Sequence, residues 1–270
     1  MNSVSQDRFL ENELGKFYYQ VHGHQGTPAV IFSHGVAMDH RTFDDQVQAL
    51  KSGYRVISWD MPYHGRSDSI DKNLSFSKTA ANLLVAIMDE LGIGQAFHAG
   101  LSLGSLVVQQ LSSLYPTRVL GEIHISGGPL YPKFPAILKA SIPFTAVFMK
   151  LYPSKPMART FAKHKALTPE TIAYLVETVE NTGKDAITHL TNEMVRDMVA
   201  GLPAPSSKPI LIVYGDHDLP FIIKMSKDWH ARLPNSELVM VENAHHILNQ
   251  DNPTDYNAIL LDFLERVQQS

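Results

Sequence analysis

The stretch Gly100-Leu101-Ser102-Leu103-Gly104 restricts the fold more than any other part of the chain. An apolar run, Gln95-Ala96-Phe97-His98-Ala99, leads into it, and a helical pattern from Gly104 to Leu111 leads out. A glycine two residues either side of a serine, between strand and helix, predicts a tight, strained turn with the hydroxyl at its tip. The glycines are needed because a Cβ at either place would collide with the neighbouring strand or helix. The helix that begins at the turn aims its free N–H groups and its dipole at the serine. A serine in an ordinary turn carries the same five letters, so the surrounding chain decides.

That chain alternates. Lys16 to His22 reads as a strand, and Ala29-Val30-Ile31-Phe32-Ser33 as a strand buried on both faces. The spacing Phe43, Val47, Leu50 predicts a helix from about His40 to Lys51, closed by Gly53. Arg55 to Trp59 is the next strand. Ser77 is expected to cap a helix through Leu91, with Ala80, Leu83, Leu84, Ile87 and Leu91 on one face. After the serine turn and its helix, Val119 to Ile125 is a further strand. From about Gly127 to Pro205 the rhythm breaks into proline-punctuated helical patterns: Ala136 to Met149, Met157 to Lys165, a stretch capped at Thr168-Pro169-Glu170, and Asp185 to Val199. Strands resume at Pro209 to Tyr214 and Glu237 to Val241. Asn252 as cap and Pro253 as first residue open a last helix, to about Val267. Alternating buried strands and amphipathic helices imply an α/β fold with a mostly parallel central sheet flanked by helices.

Composition narrows the classes of function. With 44% apolar and 19% charged residues in 270, a full core is within reach and disorder is not expected. A net charge of −4 is too mild to point to nucleic acid or an anionic membrane. Without cysteine there is no disulfide, thiol nucleophile or cysteine-bound metal. The N-terminal residues lack a basic segment followed by an apolar one, so a cytoplasmic protein is expected. The greasiest stretch, Pro135 to Leu151, carries Lys139, Pro143 and Lys150, and its uncharged part is too short to span a bilayer.

In parallel sheets chemistry gathers at the carboxyl ends of the strands. There the chain offers His34-Gly35-Val36, Asp60, Ser102, Gly215-Asp216-His217-Asp218 and Asn243-Ala244-His245-His246. Nucleophile, acid and base thus occur in the order Ser, Asp, His. This arrangement resembles the α/β-hydrolase family along essentially the whole chain. Gly100 to Gly104 looks like that family's nucleophile elbow, and His34-Gly35 like the His-Gly after its third strand. Asp60-Met61-Pro62-Tyr63-His64-Gly65-Arg66-Ser67 is similar to its loop after the fourth. Gly215 to Asp218 resembles its acid loop, and His246 followed by Asp251 and Pro253 matches its histidine loop.

The resemblance implies an α/β-hydrolase core at 1–128 and 206–270 with a helical cap at 129–205. Ser102 would attack a carbonyl carbon and form an acyl intermediate; an unaided serine needs a base to take its proton. His246 is that base, so kcat/KM should rise near neutrality as it loses its proton. Asp218 holds the imidazole in one tautomer. The backbone N–H groups of Val36 and Leu103 are the oxyanion donors. Asp216 competes with Asp218, but the family places its acid three residues after the glycine; Asp216 braces the turn. His245 competes with His246, and the spacing to Asp251 and Pro253 favours His246. His217 is expected to be exposed, His34 to shape the oxyanion turn, and Asp60 to anchor its own loop. His22 and His24 lack a third ligand at metal spacing, and Gly92 and Gly94 lack the rest of a dinucleotide loop. Neither metal nor cofactor is expected.

Phe134, Ile137, Leu138, Ile142, Phe144, Val147, Phe148, Met149 and Leu151 would bury the cap onto the core and in part line an apolar cleft, with Lys139 and Lys150 solvated. A serine nucleophile argues against the dehalogenase and epoxide-hydrolase branches. His-Gly-Val-Ala argues against the hormone-sensitive-lipase type, and the missing Gly-Gly-Pro-Gly turn against proline iminopeptidases. The expected activity is hydrolysis of short-to-medium acyl or aryl esters, lactones included, on a small apolar substrate. Carbon–carbon bond hydrolysis, hydroxynitrile cleavage, or a ligand receptor on the same fold, suggested by Asp39, are the alternatives.

Overall fold

The computed structural model describes residues 6–142 and 154–269. Its strands are β1 (Gln6–Asn12), β2 (Gly15–His22), β3 (Ala29–Ser33), β4 (Arg55–Trp59), β5 (Ala96–Leu101), β6 (Val119–Ile125), β7 (Ile210–Gly215) and β8 (Ser236–Val241). Its α-helices, in chain order, are α1 (Asp44–Leu50), α2 (Phe76–Glu90), α3 (Leu103–Leu114), α4 (Ser154–Lys163), α5 (Pro169–Thr182), α6 (Lys184–Ala200), α7 (Pro220–His230), the single turn α8 (Leu248–Asp251) and α9 (Pro253–Gln269). The strands form one sheet in the order β1-β2-β4-β3-β5-β6-β7-β8. β2 runs antiparallel to both β1 and β4, and every later pairing is parallel.

Side-chain alternation splits the apolar strands between two cores. Ile31 and Ile57 face Leu84, Ile87, Leu103 and Val107 of α2 and α3. Val30, Phe32 and Val56 face Val47 of α1 and Tyr256, Leu260 and Phe263 of α9. Burying each such aliphatic side chain is worth about 1.5–3 kcal/mol. All five residues of β3 are buried, as an interior parallel strand requires. The chain runs from β3 to β4 on one side, then crosses back to β5 on the other. The crevice at the carboxyl ends of β3 and β5 is therefore the topological switch point.

The structure corrects two readings of the sequence and supplies elements that it missed. α2 begins at Phe76, and the buried Ser77 lies inside it rather than capping it. Its first N–H is instead met by Glu193 Oε2 of α6 at 3.4 Å. Ile137 is 79% exposed, so it does not bury the 129–205 segment on the core. Of the helix expected from Ala136 to Met149, the described residues show a 3₁₀ stretch, Ala136–Ser141, and then Ile142 in helical conformation; Phe144, Val147, Phe148, Met149, Lys150 and Leu151 lie outside the described residues. β1 was not foreseen because six of its seven residues are polar or exposed, and only Leu10 is buried. α7 and the turn α8 were not foreseen either. Between β6 and β7 the described residues contain α4, α5 and α6 and no strand.

Candidate active site

The turn after β5 is built as its letters require. Ser102 sits at φ 51° and ψ −108°, a strained conformation for a residue with a side chain. Its own N–H is held by Ile125 O of β6 at 2.9 Å. A Cβ on Gly100 would lie 2.3 Å from Gly104 O at the start of α3, and one on Gly104 would lie 2.1 Å from Ser33 O of β3. Strand, turn and helix therefore interlock at backbone distance, and Ser102 remains half-buried at the tip.

Beside it, the loop after β3 carries Val36. Among the described residues the Val36 N–H has no protein acceptor, and the Leu103 N–H opens α3, ahead of the helical ladder. Ser33 pairs with Gly100, so these two donors stand at the ends of adjacent strands. Two sealed histidines shape the loop. His34 donates from Nδ1 to Gly35 O at 2.8 Å and accepts the Met61 N–H on Nε2 at 3.0 Å. His64 donates from Nδ1 to Pro62 O at 2.9 Å and accepts the Ala37 N–H on Nε2 at 3.0 Å. Each must stay neutral to accept. Burial enforces this, pushing His34 down to about 3 and His64 to about 4. Asp60 anchors the neighbouring loop: its carboxylate accepts the His40 N–H, His40 Nδ1–H and Arg66 N–H, all at 2.8 Å.

Asp218 and His246, 28 residues apart, meet at 2.9 Å through Asp218 Oδ1 and His246 Nδ1. The same Oδ1 accepts the Leu219 N–H at 2.7 Å. With Nδ1–H donating to the carboxylate, Nε2 is left as the acceptor, and it has no hydrogen-bond partner among the described residues. Burial would raise the Asp218 pKa, but the charge and hydrogen bond of His246 outweigh it and hold the carboxyl below its ordinary value. Burial, then the positive charge of Lys165, pull His246 below the usual histidine value against the opposing pull of Asp218. Ser102, Asp218 and His246 all follow the carboxyl ends of parallel strands, but no hydrogen bond joins Ser102 to Nε2.

The competing residues brace the loops. Asp216 Oδ1 accepts the Ala244 N–H at 3.0 Å, tying the acid loop to the histidine loop. His217 is exposed and leans on Asp216. His245 Nδ1 accepts the His246 N–H at 2.8 Å. Asp251 clamps two segments at once: Oδ2 takes the His245 N–H at 3.0 Å, while Oδ1 takes those of Leu167 and Thr168 at 3.0 and 3.2 Å. The described residues hold no cluster of three or more metal-ligating side chains, and no described helix is long and apolar enough to cross a membrane.

Two features escaped the sequence. Lys165, in the turn after α4, bears electrostatically on Asp218, His245 and His246. A second hydroxyl–imidazole–carboxylate row lies inside the core. Ser105 Oγ is 2.9 Å from His124 Nδ1, and His124 Nε2 is 3.1 Å from Glu122 Oε2. All three residues are fully buried, and a Cβ on Gly127 would lie 2.3 Å from Ser105 Oγ. Gln109 extends the row, donating to Gly128 O and accepting the Leu130 N–H. The row thus fastens α3 to β6 and to the chain leaving it.

A family model described as the alpha/beta hydrolase fold matches residues 28–253. The chain is 26% identical over 266 residues to 3-oxoadipate enol-lactonase 1 of Acinetobacter baylyi, covering 96% of this chain and 97% of that protein. It is 27% identical over 260 residues to a 2-hydroxy-6-oxononadienedioate/2-hydroxy-6-oxononatrienedioate hydrolase of Burkholderia vietnamiensis, covering 89% and 88%. The crystal structure of an enol-lactonase from Burkholderia xenovorans superposes with a TM-score of 0.81 at 18% identity, covering 96% of this chain and all of that one. The sheet order, the strained serine turn and the match of the family model over most of the chain place this protein in the α/β hydrolase family, as a hydrolase.

Proposed function

We propose that this protein is a serine hydrolase that cleaves carboxylic esters, lactones included, through an acyl-Ser102 intermediate. The observation that carries the reading is the 2.9 Å contact from His246 Nδ1 to Asp218, which leaves Nε2 unpartnered on the same sheet edge as the strained Ser102 turn. His246 Nε2 takes the Ser102 proton as the hydroxyl attacks the carbonyl, then returns it to the leaving oxygen. Asp218 fixes the tautomer and stabilises the imidazolium once it forms. The N–H groups of Val36 and Leu103 receive the negative oxygen of the tetrahedral intermediate, each worth about 3 kcal/mol. Residues 129–205 serve as the cap over this edge. The likeness to enol-lactonases supports a cyclic ester among the substrates. The likeness to an oxononadienedioate hydrolase favours a second reading, carbon–carbon bond hydrolysis in a keto acid by the same residues.

The test is turnover of p-nitrophenyl acetate and butyrate, and of a lactone panel, by the wild type and Ser102→Ala. The variant should lose about 10⁴-fold or more in kcat and all labelling by a fluorophosphonate probe. Unchanged turnover would overturn the assignment. Because the His246 pKa is lowered, the rise of kcat/KM with pH should lie below the usual histidine range rather than at neutrality. A diketone substrate cleaved faster than every ester would favour the second reading.

A further inference from the structure

We propose that Lys165 is a substrate-binding residue that selects esters or lactones bearing a second, anionic group, a carboxylate. The inference rests on the ester-hydrolase reading above and specifies the substrate class of that site.

Lys165 is no ordinary surface lysine. Its carbonyl oxygen accepts the Ile247 N–H at 3.1 Å, one residue beyond His246. On either side the segment is locked in place. Ala162 and Ala166 are buried in the same core as Ala244, Ile247 and Leu248, and Asp251 joins the N–H groups of Leu167 and Thr168 to that of His245. The backbone of Lys165 is thus fastened to the histidine loop. Its half-buried side chain passes the Phe161 ring, with Nζ 5.9 Å from the ring centre.

What Lys165 lacks among the described residues is a counter-ion. Among the described residues no carboxylate or carbonyl lies within hydrogen-bonding distance of Nζ, although the lysine feels the charge of Asp218. Asp218 is not its ion-pair partner: Oδ1 takes His246 Nδ1–H and the Leu219 N–H, and Oδ2 makes no hydrogen bond among the described residues, to Nζ or to any other donor. A half-buried cation without a counter-ion is incompletely hydrated, which is costly, and a bound anion relieves that cost. Burial lowers the Lys165 pKa to about 8, so the ammonium remains largely protonated at neutral pH and a bound carboxylate would raise it again. A lysine presents a point charge with rotatable donors, which suits a carboxylate approaching from one of several directions.

The test uses matched substrates that differ in charge: mono-p-nitrophenyl adipate against p-nitrophenyl hexanoate for a charge on the acyl side, and 4-carboxyphenyl butyrate against 4-methylphenyl butyrate for the leaving side. The ratio of kcat/KM, anionic over neutral, is measured at one pH for the wild type, Lys165→Met and Lys165→Arg. In at least one pair the ratio should fall about 10-fold or more in Lys165→Met, mainly through KM, and be largely restored in Lys165→Arg. In the wild type alone, the same ratio should fall as salt is raised. If neither ratio moves in Lys165→Met while its pH profile shifts upward, Lys165 only tunes His246 and the proposal is overturned. A salt-independent ratio in the wild type overturns it without any variant. Failure of neutral esters to turn over, with no fluorophosphonate labelling, refutes instead the ester-hydrolase reading.

Discussion

His98 offers the sharpest test of how this core is built. It lies in the middle of β5, between Ile31 of β3 and Glu122 of β6 in register, fully buried, and neither ring nitrogen has a hydrogen-bond partner among the described residues. Burial pushes its pKa down to about 4, against 6.5 for an unperturbed ring. Between those values the unfolded chain binds a proton that the folded chain refuses, so stability falls as the pH falls. From about pH 7 to about pH 5 the difference in proton binding costs about 2 kcal/mol through this one ring. His98→Leu keeps an apolar volume in place and removes the proton site. Urea unfolding of wild type and variant at both pH values isolates the effect, since every other titrating group is common to both. The variant should lose about 2 kcal/mol less than the wild type between the two conditions. Equal losses would show that the ring is not kept neutral in the folded protein, and the reasoning about burial would fail with it.

Two further outcomes follow from the geometry. Gly104→Ala places a Cβ 2.1 Å from Ser33 O, where only backbone can yield, so it should destabilise by about 3 kcal/mol and distort the serine turn, read by thermal unfolding and by loss of ester turnover. Asp251→Ala strips the acceptor from the N–H groups of His245, Leu167 and Thr168; urea unfolding should show a loss of about 1–3 kcal/mol, and kcat should fall as the histidine loop slackens.

Much of this was legible from the letters because buried parallel strands are conspicuous. β3, β4 and β6 were bounded to the residue, since each is made mainly of apolar residues with turn-forming residues beyond its ends. The elbow was equally legible, because its glycines answer a collision that any side chain would cause. β1 was hidden because an outer strand bonds through its backbone and keeps few apolar residues; only Leu10 is buried. Of the site, Asp216, Asp218, His245 and His246 stood out because each follows a strand, and only the family resemblance preferred Asp218 and His246 among them. Lys165 did not, for it ends an amphipathic stretch that reads as a solvated helix, and its nearness to His246 arises from packing across some eighty residues of chain. His64 sits in a loop quoted for its aspartate, and only the fold brings its ring beneath Ala37.

The interior row of Glu122, His124 and Ser105 has a bearing on how such enzymes are recognised. Its hydroxyl sits at bonding range from an imidazole backed by a carboxylate, whereas no hydrogen bond joins Ser102 to His246. A template of atoms alone would nominate residue 105 first. Yet no acyl group can arrive there, for even a methyl on Gly127 would strike the oxygen. Reactivity in this fold is therefore granted by access as much as by alignment: the same chemistry, walled in, becomes a rivet.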